Sequence, residues 1–262
     1  NLRNRVYCGK FPIDEYRWDK SKKELTVQQI LVKSSNIGTI EIVKKNGLEN
    51  QQNFLENLEI FDMPRLEIPE LSKSKKNRWG KCNTLTSAYG HGVSTTLLQL
   101  TRAYAAIVNG GVLLDSSILL NKKLNKKRVI SKETSAIMNQ MLRTNVDKKN
   151  KTSGSGRKAD IVGYDVLGKT GTAQKPSKKE KGYSKEILNV FASAFPSKKP
   201  KYVLTVLIDE PKGAPQIWKH SRREAGWNAV YIAGKIIRKI GPSLAINDLD
   251  LLNNYASHTK NN

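Results

Sequence analysis

The sequence predicts an α/β chain of the α+β kind, an antiparallel sheet flanked by helices. Apolar residues recur at helical spacing through the first half, and three strand-like runs, the last strongly β-branched, follow one another after residue 163. A further helical pattern from Ala229 closes the chain. The breakers Lys175-Pro176-Ser177-Lys178 and Pro196-Ser197-Lys198-Lys199-Pro200 separate the three runs, so the sheet reads as a meander.

In chain order, residues 1–23 read as irregular or short-strand material anchored by Tyr7, Phe11, Tyr16 and Trp18. Thr26 offers a side-chain oxygen to the start of a short helix carrying Val27, Ile30 and Leu31. That pattern breaks at Ser34-Ser35-Asn36 and resumes with Ile37, Ile40 and Val43 up to Gly47, a plausible stop. Phe54, Leu55 and Leu58 suggest a third helix, and residues 62–81 a Pro- and Lys-rich loop. A stronger helix runs from Thr96 to Val108, with Leu97, Leu100, Tyr104 and Ile107 on one face. Asn109-Gly110-Gly111 ends it with residues that tolerate positive φ. Residues 112–130 read as short strands around a basic turn, and Ser131 caps a helix holding Ile137, Met138, Met141 and Leu142. Residues 147–158 are a flexible polar loop by composition. The strands are expected over Tyr164–Ala173, Leu188–Phe195 and Tyr202–Ile208. The last helix holds Ala229, Ile232, Ala233, Ile236 and Ile237 and is expected to stop at Gly241-Pro242. A domain over residues 1–243 and a polar, frayed tail over 244–262 follow.

Composition narrows the function classes. Hydrophobic residues make up 38% of the 262 and mean hydropathy is −0.54. No stretch supplies the ~20 apolar residues of a membrane helix. The longest uncharged run, Cys82 to Thr101, is rich in Ser, Thr, Gly and Gln. Cys8 and Cys82 are too few for a disulfide scaffold or a cysteine zinc site. Their pairing is left open, two free thiols being the simpler expectation. His91, His220 and His258 lack metal-ligand spacing, so neither a metal nor another cofactor is expected. The net charge of +23 raises a nucleic-acid reading. Its lysines, however, fall in scattered runs (residues 20–23, 73–76, 122–128, 148–151, 178–181 and 198–201) without interleaved aromatics, so solvated loops are favoured and no nucleic-acid partner is expected. Attraction to anionic lipid or polymer near a membrane surface stays open. Asn1 to Arg5 carry neither an initiating Met nor a signal pattern, so the chain reads as the interior of something longer.

Two short motifs can carry chemistry. Ser34-Ser35-Asn36 lies between helices, and Lys169-Thr170-Gly171-Thr172 lies in a strand. Acyl transfer to a serine needs a base, a second hydroxyl to relay the proton, and donors for the oxyanion. Ser-x-Asn supplies a hydroxyl and an amide; the strand supplies a cation, two hydroxyls and a glycine that lets a ligand approach its backbone. Such elements accompany an S-x-x-K nucleophile in penicillin-recognising enzymes.

The wider context resembles the transpeptidase domain of class B penicillin-binding proteins, the division-type group in particular. Leu25 to Gly38 resembles that family's second-motif segment. Gly90-His91-Gly92 through Leu97-Leu98-Gln99-Leu100 to Ala103-Tyr104-Ala105 and Asn109-Gly110-Gly111 resembles its central helix, with Leu97 where proline is usual. Ala159 to Lys175 resembles the third-motif strand with its lead-in; Val190–Pro196, Leu207–Gly213 and Ala225–Ala229 follow in the family's order. Arg222-Arg223 depart from the small or hydroxyl residues usual there.

The resemblance implies a penicillin-binding, serine β-lactamase-like fold and a D,D-transpeptidase acting on D-Ala–D-Ala stem peptides of peptidoglycan, inhibited by β-lactams. It implies a periplasmic catalytic domain anchored in the bacterial inner membrane, divisome proteins as partners, and a role in septal division. Ser34 would relay a proton, Asn36 would orient the base lysine and substrate amide, and Lys169 would offset negative charge. Thr170 and Thr172 would hold the substrate carboxylate, and Gly171 would admit it. In the family the S-x-x-K motif precedes Ser-x-Asn, and no such motif precedes Ser34 here. Ser72-Lys73-Ser74-Lys75 and Ser155-Gly156-Arg157-Lys158 match formally but lie downstream in polar loops. The first strands and the nucleophile helix are therefore expected to be missing, leaving an open apolar edge near Tyr202–Ile208. A non-catalytic module of the same fold, a serine β-lactamase or a β-lactam sensor remain as alternatives. The isolated chain is expected to be poorly stable and to stay unlabelled by a fluorescent penicillin; a stable adduct on any of its serines would overturn that.

Overall fold

The computed structural model describes residues 6–15, 24–72, 74, 79–152, 154–177, 182–219 and 221–259, without the side chains of residues 11 and 250–259. Tyr16, Trp18, Lys75 and His220 lie outside the described residues, as does the side chain of His258. A hairpin of β1 (Val6–Cys8) and β2 (Phe11–Ile13) opens the chain. Three helices follow: α1 (Val27–Lys33), α2 (Asn36–Asn46) and α3 (Leu48–Asn57). Thr26 and Gln29 form a reciprocal capping box at α1, two orphan donors satisfied at once. Next come α4 (Lys81–Ser87), α5 (Leu97–Val108), the hairpin β3 (Val112–Leu114) and β4 (Lys126–Arg128), and α6 (Lys132–Val146). Thr96 and Ser131 cap α5 and α6 through their side chains, as their residue types predict. The sequence reading missed α4. Residues 62–81 read as a loop and Cys82–Ser87 only as part of an uncharged run, because so short a helix gives little periodicity.

The main sheet is the expected antiparallel meander β5 (Leu167–Pro176), β6 (Tyr183–Phe195) and β7 (Tyr202–Asp209), in that order. Both of its faces are covered. Phe191 and Phe195 of β6 pack with Tyr202, Leu204, Val206 and Ile208 against Ala229, Val230, Ala233 and Ile237 of α8 (Ala229–Thr259). Ala192 and Ala194, on the opposite pleat, pack with Leu167 against Tyr104 and Val108 of α5 and Leu142 of α6. This explains why the second half of β6 is buried nearly without alternation. Among the described residues β7 pairs only with β6, so its outer edge stays unpaired.

One expectation is corrected, and one open question is answered. The last helix does not stop at Gly241-Pro242 but continues to Thr259. Gly241 lies so close to the Tyr164 ring that no Cβ would fit, Leu244 packs against the same core, and Asp248 accepts a hydrogen bond from Tyr202 and pairs with Lys201 at 2.9 Å. These contacts offset the backbone donor lost at Pro242. The cysteines, whose pairing the sequence leaves open, are joined as Cys8–Cys82, with Cα atoms 5.0 Å apart. Val6, Ile13, Ile37, Ile40 and Leu85 form one core cluster that draws the first hairpin, α2 and α4 together.

Phe191 is fully buried between the sheet and α8. Phe191→Ala is expected to cost about 3–5 kcal/mol in denaturant melts, by lost transfer energy and the cavity left behind.

Candidate active site

Ser34 and Asn36 sit where two helices meet. Ser34 ends α1 in the left-handed region, with φ 53°, and its backbone N–H returns to the Ile30 and Leu31 carbonyls. Ser35 caps α2, its Oγ accepting from the Gly38 N–H at 2.9 Å. Gly38 is required here, because a Cβ would meet Ile30 and the Ser35 hydroxyl at under 3 Å. The segment is therefore bent by its caps, leaving Ser34 exposed between them.

The Lys-Thr-Gly-Thr segment lies in β5, which pairs on one side with β6 and among the described residues with no strand on the other. The fully buried Asn145 at the end of α6 donates to the Gly168 carbonyl at 2.7 Å, and Arg143 donates to Val166 at 2.8 Å. These bonds fix the start of the strand. Lys169 then reaches across to Ser34: its Nζ donates to the Ser34 Oγ and, at 2.9 Å, to the Thr170 carbonyl. Although Lys169 as a residue is only partly buried, its ammonium end is enclosed, and that burial pushes it down to about 8. Near neutral pH it can thus exchange a proton with a hydroxyl, besides lending positive charge.

Thr170 and Thr172 lie two apart on the same strand. The Thr170 hydroxyl is 2.5 Å from that of Ser155, and the Thr172 hydroxyl accepts from the Ala225 N–H at 3.2 Å. Two glycines of this strand differ in their reason. A Cβ at Gly168 would strike the Phe191 ring and the Ala192 carbonyl, whereas at Gly171 it would meet only Val190, at 4.0 Å. Packing dictates the first glycine but not the second. Together the two motifs offer a hydroxyl, a cation of depressed affinity for its proton, and paired hydroxyls along an unpaired strand edge. That set suits the binding of a carboxylate beside an acyl group and proton relay during acyl transfer.

Asn36 is not tied to Lys169. Its Nδ2 donates to the Asp14 carbonyl at 2.9 Å. The polar loop expected to be flexible over 147–158 is tied down at several described residues: the Gly154 N–H bonds to the Asn145 carbonyl, Ser155 meets Thr170, and Arg157 begins a 3-10 turn that ends on the fully buried Ala159. The rejected match Ser155-Gly156-Arg157-Lys158 does place its serine at the site, but Lys158 turns to the Trp227 ring, 3.7 Å from its centroid. Sequence reasoning missed Ser155, Asn145 and Glu15, whose carboxylate binds Ser35 and the Asn36 N–H. Single polar residues in loops and helix ends give no periodic signal. His91 packs with Tyr89 and Tyr183 rather than among the two motifs, and burial lowers its proton affinity. Among the described residues no group of three or more His, Cys, Asp or Glu is placed to hold a metal.

The profile of the penicillin-binding protein transpeptidase domain matches residues 8–236. The chain belongs to that family. It is 31% identical over 254 residues to the probable peptidoglycan D,D-transpeptidase FtsI of Caulobacter vibrioides, covering 92% of this chain and 42% of that protein. It is 33% identical over 190 residues to the probable peptidoglycan D,D-transpeptidase PenA of Neisseria meningitidis, covering 71% and 32%. The chain thus spans less than half the length of these curated relatives. Among solved structures, penicillin-binding protein 3 of Mycobacterium tuberculosis in complex with ampicillin aligns with a TM-score of 0.78 at 25% identity, over 90% of this chain and 56% of that one. The TP domain of penicillin-binding protein 3 from Burkholderia pseudomallei aligns at 0.73 and 27% identity, over 90% and 70%. The mixed α/β fold with its helix-flanked antiparallel sheet is therefore that of the family.

The lysine yields a pH signature. The folded chain releases the Lys169 proton near pH 8, whereas an unperturbed lysine holds it to about 10.5. Between these values the unfolded chain binds more protons, so this group makes stability rise with pH across the window. Lys169→Met is expected to remove that rise in pH-dependent melts, and ¹³C NMR of the lysine Cε atoms should show one midpoint near 8 that the variant lacks. A midpoint at the ordinary value would overturn the assignment.

Proposed function

We propose that this chain is the C-terminal part, residues 1–243, of the transpeptidase domain of a peptidoglycan D,D-transpeptidase that cross-links stem peptides by an acyl-serine route. The observation that carries it is the contact of Lys169 with Ser34, beside the edge of β5 that no strand among the described residues pairs and where Thr170 and Thr172 sit. The nucleophilic serine and its base lysine belong, on this reading, to an S-x-x-K segment upstream of Asn1. That serine's Oγ gives its proton to the base lysine as it attacks the carbonyl carbon of the penultimate D-Ala, forming a tetrahedral oxyanion that the Thr172 N–H and the serine's own N–H stabilise. The C–N bond then breaks. Ser34, coupled to Lys169, passes a proton to the departing D-Ala amine, leaving an acyl-enzyme. An amine of a neighbouring stem peptide attacks the ester carbonyl, gives up its proton by the same relay, and restores the serine as the new amide forms. Asn36 orients the base lysine and the substrate amide. Thr170 and Thr172 hold the terminal carboxylate, which draws close to the backbone at Gly171.

β-Lactams present the same carboxylate beside an acyl group, and the relative solved with ampicillin supports their binding here. No helix among the described residues is long and apolar enough to cross a membrane. We place the domain on the periplasmic side of the bacterial inner membrane, held by an anchor elsewhere in the protein, with septal division proteins as partners. The names of its relatives, a stage V sporulation protein among them, support a division-type role.

The test extends the reading frame upstream. An S-x-x-K about 50 residues before Ser34 is expected. The extended protein should be acylated by a fluorescent penicillin at that serine. Ser34→Ala and Lys169→Ala should each slow acylation by about 10²-fold or more. An upstream frame without S-x-x-K, or acylation indifferent to both changes, would sink the proposal.

A further inference from the structure

The Ser-x-Asn segment is held in place from outside its own helices. Residues 14 and 15, just after β2, form the clamp. The Glu15 Oε1 accepts the Asn36 N–H at 2.6 Å and the Ile37 N–H at 3.4 Å, and its Oε2 accepts the Ser35 hydroxyl. The neighbouring Asp14 carbonyl accepts from the Asn36 side chain at 2.9 Å. Asn36 and Ile37 are the first residues of α2, whose N–H groups have no partner within the helix. A carboxylate there also meets the positive end of the helix dipole. Glu15 therefore satisfies two donors that Ser35 cannot reach, since the Ser35 side chain is committed to Gly38. With Nδ2 of Asn36 bound to Asp14, its Oδ1 is the atom left to accept from an ammonium.

What holds the clamp is separate from the two motifs. A two-stranded hairpin of three residues per strand is marginal by itself. Here Val6 and Ile13 anchor it in the cluster with Ile37, Ile40 and Leu85, and Cys8 ties it covalently to Cys82 at the start of α4. The hairpin is thus fastened to α2 by apolar contact and to α4 by a disulfide, and its exit delivers Asp14 and Glu15 to the motif.

We propose that Glu15 is a positioning residue for the second motif, and that the Cys8–Cys82 bridge fixes the hairpin that carries it. This rests on the acyl-transfer reading, in which Asn36 orients the base lysine. Glu15 touches no reacting atom; it sets where Asn36 starts its helix, and the adjoining Asp14 carbonyl sets which amide atom remains free.

The test has two arms. In the 262-residue chain, amide hydrogen exchange at Asn36 and Ile37 should quicken by about tenfold in Glu15→Ala, the loss of roughly one hydrogen bond's net worth. Exchange in β6 should stay unchanged. In the protein extended upstream, the first-order acylation constant for a fluorescent penicillin should fall by about tenfold in Glu15→Ala, with the pre-covalent dissociation constant within about twofold. Glu15→Gln keeps an acceptor oxygen and should recover most of both. Cys8→Ser with Cys82→Ser should shift both readouts in the direction of Glu15→Ala. Wild-type kinetics in Glu15→Ala, or equal loss of binding and rate with no recovery in Glu15→Gln, would overturn the positioning role. If the wild-type extended protein fails to acylate, the acyl-transfer reading falls instead, and unchanged exchange at Asn36 and Ile37 would then overturn the clamp on its own.

Discussion

One contact across the fold organises the site: the Lys169 ammonium, carried by an edge strand, meets the Ser34 hydroxyl at the end of α1, 135 residues earlier in the chain. It costs free energy to enclose an ammonium, and the depressed proton affinity of Lys169 expresses that cost. The surrounding structure offsets it. The sheet is packed on both faces by α5, α6 and α8, and Asn145 and Arg143 pin the strand's first residues to the end of α6. Lys169 therefore has little freedom to withdraw into water.

The second motif obeys a different logic. Ser34, Ser35 and Asn36 stand in a break between helices, where backbone donors are left over and must be met from elsewhere. Part of the answer is local, the Ser35 cap; part is distant, the carboxylate of Glu15 and the carbonyl of Asp14. So the motif's geometry depends on a hairpin that shares no sequence pattern with it.

This contrast explains what was legible in the sequence. The α5 and α6 helices, with Thr96 and Ser131 as their caps, were readable because periodicity and capping residues are local signals. The meander was readable because β-branched runs alternate with breakers, and Lys169 to Thr172 stood out as a rare tetrapeptide. Its partner Ser34 needed the resemblance, since Ser-x-Asn is too common to carry weight alone. Asn145 and Glu15 leave no local signal, and Ser155 only a formal motif match, for each acts through tertiary hydrogen bonds. The Cys8–Cys82 pairing and the continuation of α8 past Pro242 also depend on what the fold brings alongside, the cluster around Val6 and Leu85 in one case and Tyr164 and Tyr202 in the other.

The two glycines of β5 divide responsibility between folding and recognition. Gly168 belongs to the core, where the Phe191 ring occupies the space that any side chain would need. At Gly171, among the described residues, a Cβ would meet only Val190, at 4.0 Å, and on the acyl-transfer reading it is a ligand lying along the strand edge that keeps the position bare. In a lineage that kept this fold but abandoned its ligand, position 171 would be free to acquire a side chain while position 168 would not. Three residues apart on one strand, the pair amounts, on that reading, to an internal record of whether the strand edge still receives its ligand.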